Sequence, residues 1–131
     1  MDKERITGEH VVEPLGKDAP TVSPGVKCQN LIFCSGQIAI DPDTGEMVND
    51  SMEIETKQVM ENLKAILTAA NASMDDVLKT TIFMTNLEDF PIVSEIYSGY
   101  FDGIPPARST IQVASLYAGA KVEIEAIAII S

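Results

Sequence analysis

The sequence predicts an α+β domain: a mixed β-sheet with two helices packed on one face, in the order β-β-α-β-α-β-β. Three observations predict it. The apolar pattern changes from strand-like to helical twice, first after residue 40 and again after residue 85. Two consecutive strand-like runs then close the chain, so strand and helix do not alternate throughout. No internal repeat is evident, which sets aside solenoids and propellers.

Residues 1–25 carry Gly8, Pro14, Gly16, Pro20, Pro24 and Gly25, and read as an irregular N-terminal arm. A single domain follows over residues 26–131. Leu31–Ser35 and Ile38–Ile40 are short strands separated near Gly36. Asp41-Pro-Asp-Thr-Gly45 is a turn: Pro presets φ, Asp bonds locally and Gly supplies positive φ. Between Glu53 and Ala70 the apolar residues Val59, Met60, Leu63, Ile66, Leu67 and Ala70 recur at three- and four-residue steps, the buried face of a long helix. Asp50 with Glu53 suits a capping box, and Asn71 a left-handed stop.

Val77–Thr85 reads as a strand with Leu78, Thr80, Ile82 and Met84 on one face. Asn86–Asp89 turns into a second helix over Phe90–Phe101, with Ile92, Val93, Ile96, Tyr97, Tyr100 and Phe101 inward. Pro91 suits its first turn, where a missing N–H costs nothing. Gly103-Ile-Pro-Pro106 breaks the chain before strands at Arg108–Ala114 and Val122–Ile130. In the last strand Val122, Ile124, Ala126 and Ala128 share one face, and Ile127 and Ile129 the other. Two helices cover one face of such a sheet. A second copy of the chain is the economical cover for the other.

Composition narrows the function. The 131 residues suit one domain, and 45% hydrophobic with 22% charged residues describes a globular chain. No apolar run approaches the roughly 20 residues that span a bilayer. Met1–His10 lacks the apolar core of a secretory signal, so a cytoplasmic protein is expected. A net charge of −11 repels polyanions such as RNA. Cys28 and Cys34 lack metal-type spacing and read as reduced thiols. His10 is the one histidine, which disfavours histidine triads and clustered-histidine metal sites. Met47, Met52, Met60, Met74 and Met84 read as core filling. No P-loop, dinucleotide-binding glycine pattern or zinc spacing is present.

Three segments carry candidate chemistry. Arg108 follows a rigid diproline, and alternation sends Arg108, Thr110 and Gln112 to one side of their strand. A guanidinium there is either a planar fork for a carboxylate or a surface ion pair. Glu123 and Glu125 share a face within an apolar strand, as a general acid/base or as edge charges that discourage aggregation. Ser35-Gly36-Gln37 offers a hydroxyl beside a glycine that permits close approach, or simply a strand bulge or bend.

Taken together these segments resemble the RidA (YjgF, L-PSP) family. Asn30–Ile38 resembles its "GNLIFVSGQI" strand pair, and Asp41–Glu46 its "DPxTGE" turn. Gln58–Ala65 is similar to "QVLENLKA", Lys79–Phe83 to "KTTVF", Pro106–Ser109 to "PARS" and Val122–Ala128 to "VEIEAIA". The similarity is colinear over about residues 26–130. It implies a chorismate-mutase-like subunit and a homotrimer, with ligand clefts between subunits. It also implies hydrolytic deamination of 2-imino or enamine acids, such as 2-iminobutanoate and 2-iminopropanoate, to 2-keto acids and ammonia. Arg108 would hold the substrate carboxylate and Glu123 would activate water, while Ser35, Thr110 and Ser94 would bind substrate. No metal and no cofactor is implied, because an imine is already electrophilic, and neither nucleic acid nor membrane is an implied partner. A carboxylate binder without turnover and an RNA-directed translation inhibitor or endoribonuclease are the alternatives. The chain departs from the pattern in three places. Ala19–Val26 replaces the family's "GPYSQA", with Val22 near its tyrosine; Thr110 stands where Cys is frequent, and Ser94 where Asn is frequent.

Overall fold

The structure, a computed structural model, describes residues 2–13 and 21–131. The element order is β1 (Lys3–Ile6), β2 (Gly25–Cys28), β3 (Leu31–Gln37), α1 (Met52–Ala69), β4 (Val77–Met84), α2 (Phe90–Ser98), β5 (Ala107–Gln112) and β6 (Val122–Ile129). The six strands form one sheet in the order β1-β2-β3-β6-β4-β5. Every neighbouring pair is antiparallel except β4 with β5, which α2 joins by a crossover. The chain thus has the α+β class expected.

Helix α1 is capped by Ser51, whose Oγ accepts from the Ile54 N–H at 3.1 Å. This replaces the expected Asp50 cap: the helix starts at Met52, so the residue before it takes the role. Asn71, at φ 62, leaves the helix in the left-handed region as expected. Val59, Met60, Leu63, Ile66 and Leu67 are buried against Ile32 and Cys34 of β3, Ile82 and Met84 of β4, and the inner residues of β6. Tyr97 of α2 reaches the same face, sharing a 2.7 Å hydrogen bond with Thr80. Both helices therefore cover one side of the sheet. Leu31, Phe33 and Ile129 lie exposed on the other.

Several boundaries differ from expectation for local reasons. Residues 3–6, expected to be irregular, pair with β2 as an edge strand. Pro14, Gly16 and Pro20 lie outside the described residues. The expected strand over Ile38–Ile40 reduces to a single bridge, Ile40 to Met47. The carbonyls of Ile38 and Ile40 bond instead to Asn62 of α1, at 3.0 and 2.8 Å. A bulge between Val77 and Lys79 leaves Leu78 unopposed and 51% exposed, so Val77 takes the core position that alternation gave to Leu78. Helix α2 ends at Ser98, and Ile92 lies on its exposed side, because only Val93 and Tyr97 face the sheet fully.

Candidate functional site

Arg108 sits on the edge strand β5, opposite Thr80 of β4, so its side chain leaves on the helix-covered face. There its guanidinium carbon lies 5.1 Å from the Phe90 ring centre and 5.0 Å from that of Tyr97. Both contacts are of cation–π type and fix the plane of the fork. Nη1 donates to Ser94 Oγ at 3.4 Å. Among the described residues no carboxylate forms an ion pair with Arg108; Arg5 with Glu13 is the ion pair found there. Tyr97 is itself fixed, through Thr80 and through Phe101, whose ring centre lies 4.9 Å away. Burial pushes the Tyr97 phenol up, while the Thr80 bond and the Arg108 charge pull it back. Ser94, Tyr97, Phe101, Pro105, Pro106 and Arg108 line an open hollow of about 510 Å³.

The carboxylate of interest lies elsewhere. Between Cys34↔Ala126 and Gln37↔Ile124 two residues of β3, Ser35 and Gly36, oppose the single residue Glu125. This bulge brings the backbone at Gly36 against Glu123: a Cβ there would lie 2.2 Å from Glu123 Oε2. The glycine is required for that closeness. Ser35 Oγ donates to the Ser23 carbonyl at 2.6 Å, so the hydroxyl keeps only acceptor capacity for a ligand. Burial, and then repulsion from Glu125, raises the Glu123 carboxyl above its ordinary value. Glu123 and Gly36 open into a hollow of about 730 Å³ whose wall includes Val11, Val22, Ile38, Ile40 and Tyr117.

These two centres are on opposite faces of the sheet. Arg108 shares the face of Thr80, whereas Glu123 opposes Phe83 on the uncovered face. One copy of the chain therefore holds two centres apart: an aromatic-braced cation, and a carboxylate beside a glycine bulge.

The family model of endoribonuclease L-PSP matches residues 17–130. This chain belongs to that family, the RidA family. Its fold is the chorismate-mutase-like α+β fold of the RidA structures. A RutC family protein of Pyrococcus abyssi is 44% identical over 128 residues, covering 98% of each chain. The 2-iminobutanoate/2-iminopropanoate deaminase of Mus musculus is 44% identical over 107 residues, covering 82% of this chain and 79% of its own. The crystal structure of E. coli TdcF with bound serine superposes with a TM-score of 0.90 at 37% identity, covering 98% of this chain and 99% of that one.

Within the RidA domain the residues read from sequence fall into two groups. Arg108 and Ser94 meet, and Thr110 shares their face of β5 by alternation. Ser35 and Glu123 lie together at the β3 bulge. Val22, 41% exposed, lines the Glu123 hollow; Ala19 and Pro20 of the same segment lie outside the described residues. Sequence reasoning missed the roles of Phe90 and Tyr97. The periodicity of α2 puts Tyr97 on its inner face, but carries no sign that an arginine of the next strand lies against it. Burial pushes the Cys34 thiol up to about 12, so it is a poor nucleophile. His10 is exposed on a turn.

Proposed function

We propose that this protein hydrolyses small 2-imino acids, of the 2-iminobutanoate and 2-iminopropanoate class, to 2-keto acids and ammonia in clefts between copies of a homotrimer. The observation that carries the proposal is the aromatic-braced guanidinium of Arg108, which meets no carboxylate among the described residues. A buried or braced cation without a carboxylate partner is suited to receive one from a ligand. Its separation from Glu123 by the thickness of the sheet supports an assembly in which Arg108 of one copy faces Glu123 of the next. The exposed apolar residues Leu31, Phe33 and Ile129 on the Glu123 side supply a surface for that contact. The named deaminase among its relatives supports the same reaction class.

In this reading the substrate carboxylate binds the Arg108 fork, with Ser94 and Thr110 beside it. Glu123, as carboxylate, takes a proton from water as the oxygen attacks C2 of the imine. The imine nitrogen receives that proton, giving the neutral carbinolamine; the carbinolamine hydroxyl then passes its proton through Glu123 to nitrogen, the C–N bond breaks, ammonia leaves, and the carbonyl forms. A carboxyl raised above its usual value suits both halves of that exchange. The chain's own groups supply orientation and charge placement, and the imine supplies the electrophile.

The test is imine decay. With 2-iminobutanoate released from threonine by a dehydratase, the protein at micromolar concentration accelerates keto-acid formation. Arg108→Ala lowers kcat/KM by about 100-fold or more, as loss of two charge-assisted hydrogen bonds requires. Arg108→Lys keeps the charge but loses the fork, and recovers only part of the activity. An unaccelerated decay with wild-type protein, together with keto-acid binding lost in Arg108→Ala, supports a carboxylate binder instead. The endoribonuclease description of the family model favours a further reading. Against it stands the net charge of −11; salt-sensitive RNA binding and cleavage would establish it.

A further inference from the structure

Glu55 of α1 carries a carboxylate with no solvent exposure. Its Oε2 accepts from the Lys121 N–H at 2.7 Å and the Val122 N–H at 3.3 Å. The shorter distance lies at the short end of the N–H···O range. Its Oε1 finds no protein partner among the described residues. Burying a carboxylate is costly, and an apolar side chain at this helix position would avoid the cost. What Glu55 holds is the start of β6. The Lys121 carbonyl accepts from the Thr85 N–H at 3.2 Å, so the chain just before Glu123 is gripped on both sides. Val122 points into the core with no exposure, and Glu123, next along, leaves on the opposite face.

Glu123 is only the second residue of β6, where a strand end frays. Its place also has little slack, since its carboxylate fills the space a Cβ on Gly36 would need. We infer that Glu55 is a positioning residue: by gripping the N–H groups of Lys121 and Val122 it fixes the phase of β6 and holds the Glu123 carboxylate against the Ser35–Gly36 bulge. The inference rests on the reading in which Glu123 works on water.

Two variants of the protein and two readouts test it. Glu55→Leu removes both acceptors at similar volume, and Glu55→Gln keeps one side-chain oxygen able to accept. The readouts are kcat and KM for imine hydrolysis, and the titration of the Glu123 carboxyl followed by carbon NMR. In folded Glu55→Leu, kcat falls about 10- to 100-fold, as a displacement near 1 Å of a reacting group produces. KM stays within about threefold, because carboxylate binding at Arg108 is untouched. The Glu123 titration moves toward the ordinary carboxylate value as the group swings into water. Glu55→Gln stays close to wild type in both. Equal loss in the two variants, or an unchanged kcat and titration in Glu55→Leu, overturns the inference. If Glu55→Leu does not fold, Glu55→Asp decides: one methylene shorter, it cannot grip both N–H groups and must reproduce the kcat loss, and wild-type behaviour overturns the idea. If the wild-type protein hydrolyses no imine, the functional reading falls, and the Glu123 titration in the variants alone decides whether Glu55 holds it.

Discussion

At the scale of the residue, Glu123 has a pH signature separable from turnover. Burial and the neighbouring Glu125 raise its carboxyl above the ordinary value. A carboxyl whose folded value exceeds its unfolded one binds its proton more tightly in the folded chain. Its stabilising contribution is then complete below the ordinary carboxylate range, and is lost as pH rises through the raised value. Glu123→Gln cannot ionise. Its Tm exceeds that of wild type at neutral pH, and the difference closes toward about pH 4, below the ordinary glutamate value. A Tm difference that grew on acidification would show the opposite sign and refute the environment described for this carboxyl. The residue types at both halves were legible in the sequence: an arginine after a diproline, a glutamate in an apolar strand, a serine and glycine between strands. Their surroundings were not. Phe90 and Tyr97 flank Arg108 only because α2 folds back across β4 and β5.

At the scale of the element, α1 does more than cover the sheet. Asn62, 1% exposed, donates to the Ile38 and Ile40 carbonyls and accepts from Gln58 Nε2 at 2.9 Å. That one side chain ties the segment after β3 to α1. Asn62→Leu leaves the Ile40 carbonyl without a protein partner, while the Ile38 carbonyl keeps the Ile40 N–H at 2.8 Å, and destabilises the fold by about 1–3 kcal/mol, measured by urea unfolding. A loss smaller than about 0.5 kcal/mol would mean that water satisfies the Ile40 carbonyl. The helix itself was legible from its three- and four-residue period: from Val59 to Leu67 every apolar residue of that period is buried, and Asn62 joins them. The bulge in β3 was legible too, since Gly36 between two apolar runs marks a bulge or bend. The bulge in β4 was not: it is set by what the partner strand presents, here Ile127 with Ala128, and no pattern within β4 encodes it. Strand β1 was hidden for the same reason: four residues, three of them exposed, carry too little alternation to read as a strand until β2 lies beside them.

At the scale of the whole molecule, the two half-sites make a prediction about assembly. If each working cleft takes Arg108 from one copy and Glu123 from the next, inactive Arg108→Ala and inactive Glu123→Gln chains rescue each other when unfolded together and refolded as a mixture. Random mixing restores about a quarter of the intact clefts in a closed ring. Refolding each variant alone restores none. Absence of rescue in mixed oligomers would mean that both groups serve a site within one copy. That outcome conflicts with their placement on opposite faces of the sheet.

The sequence by itself determined the class of the fold, the long helix, and the residue types that carry chemistry, because periodicity and turn chemistry are local properties of the chain. Only the tertiary structure decided how those residues are grouped. Strand pairing put Arg108 and Glu123 on opposite sides of one sheet, seated the cation between two rings of α2, and laid a glutamate of α1 on the backbone that carries Glu123. Those relations join residues far apart along the chain, and they follow from register and packing, which no local pattern specifies.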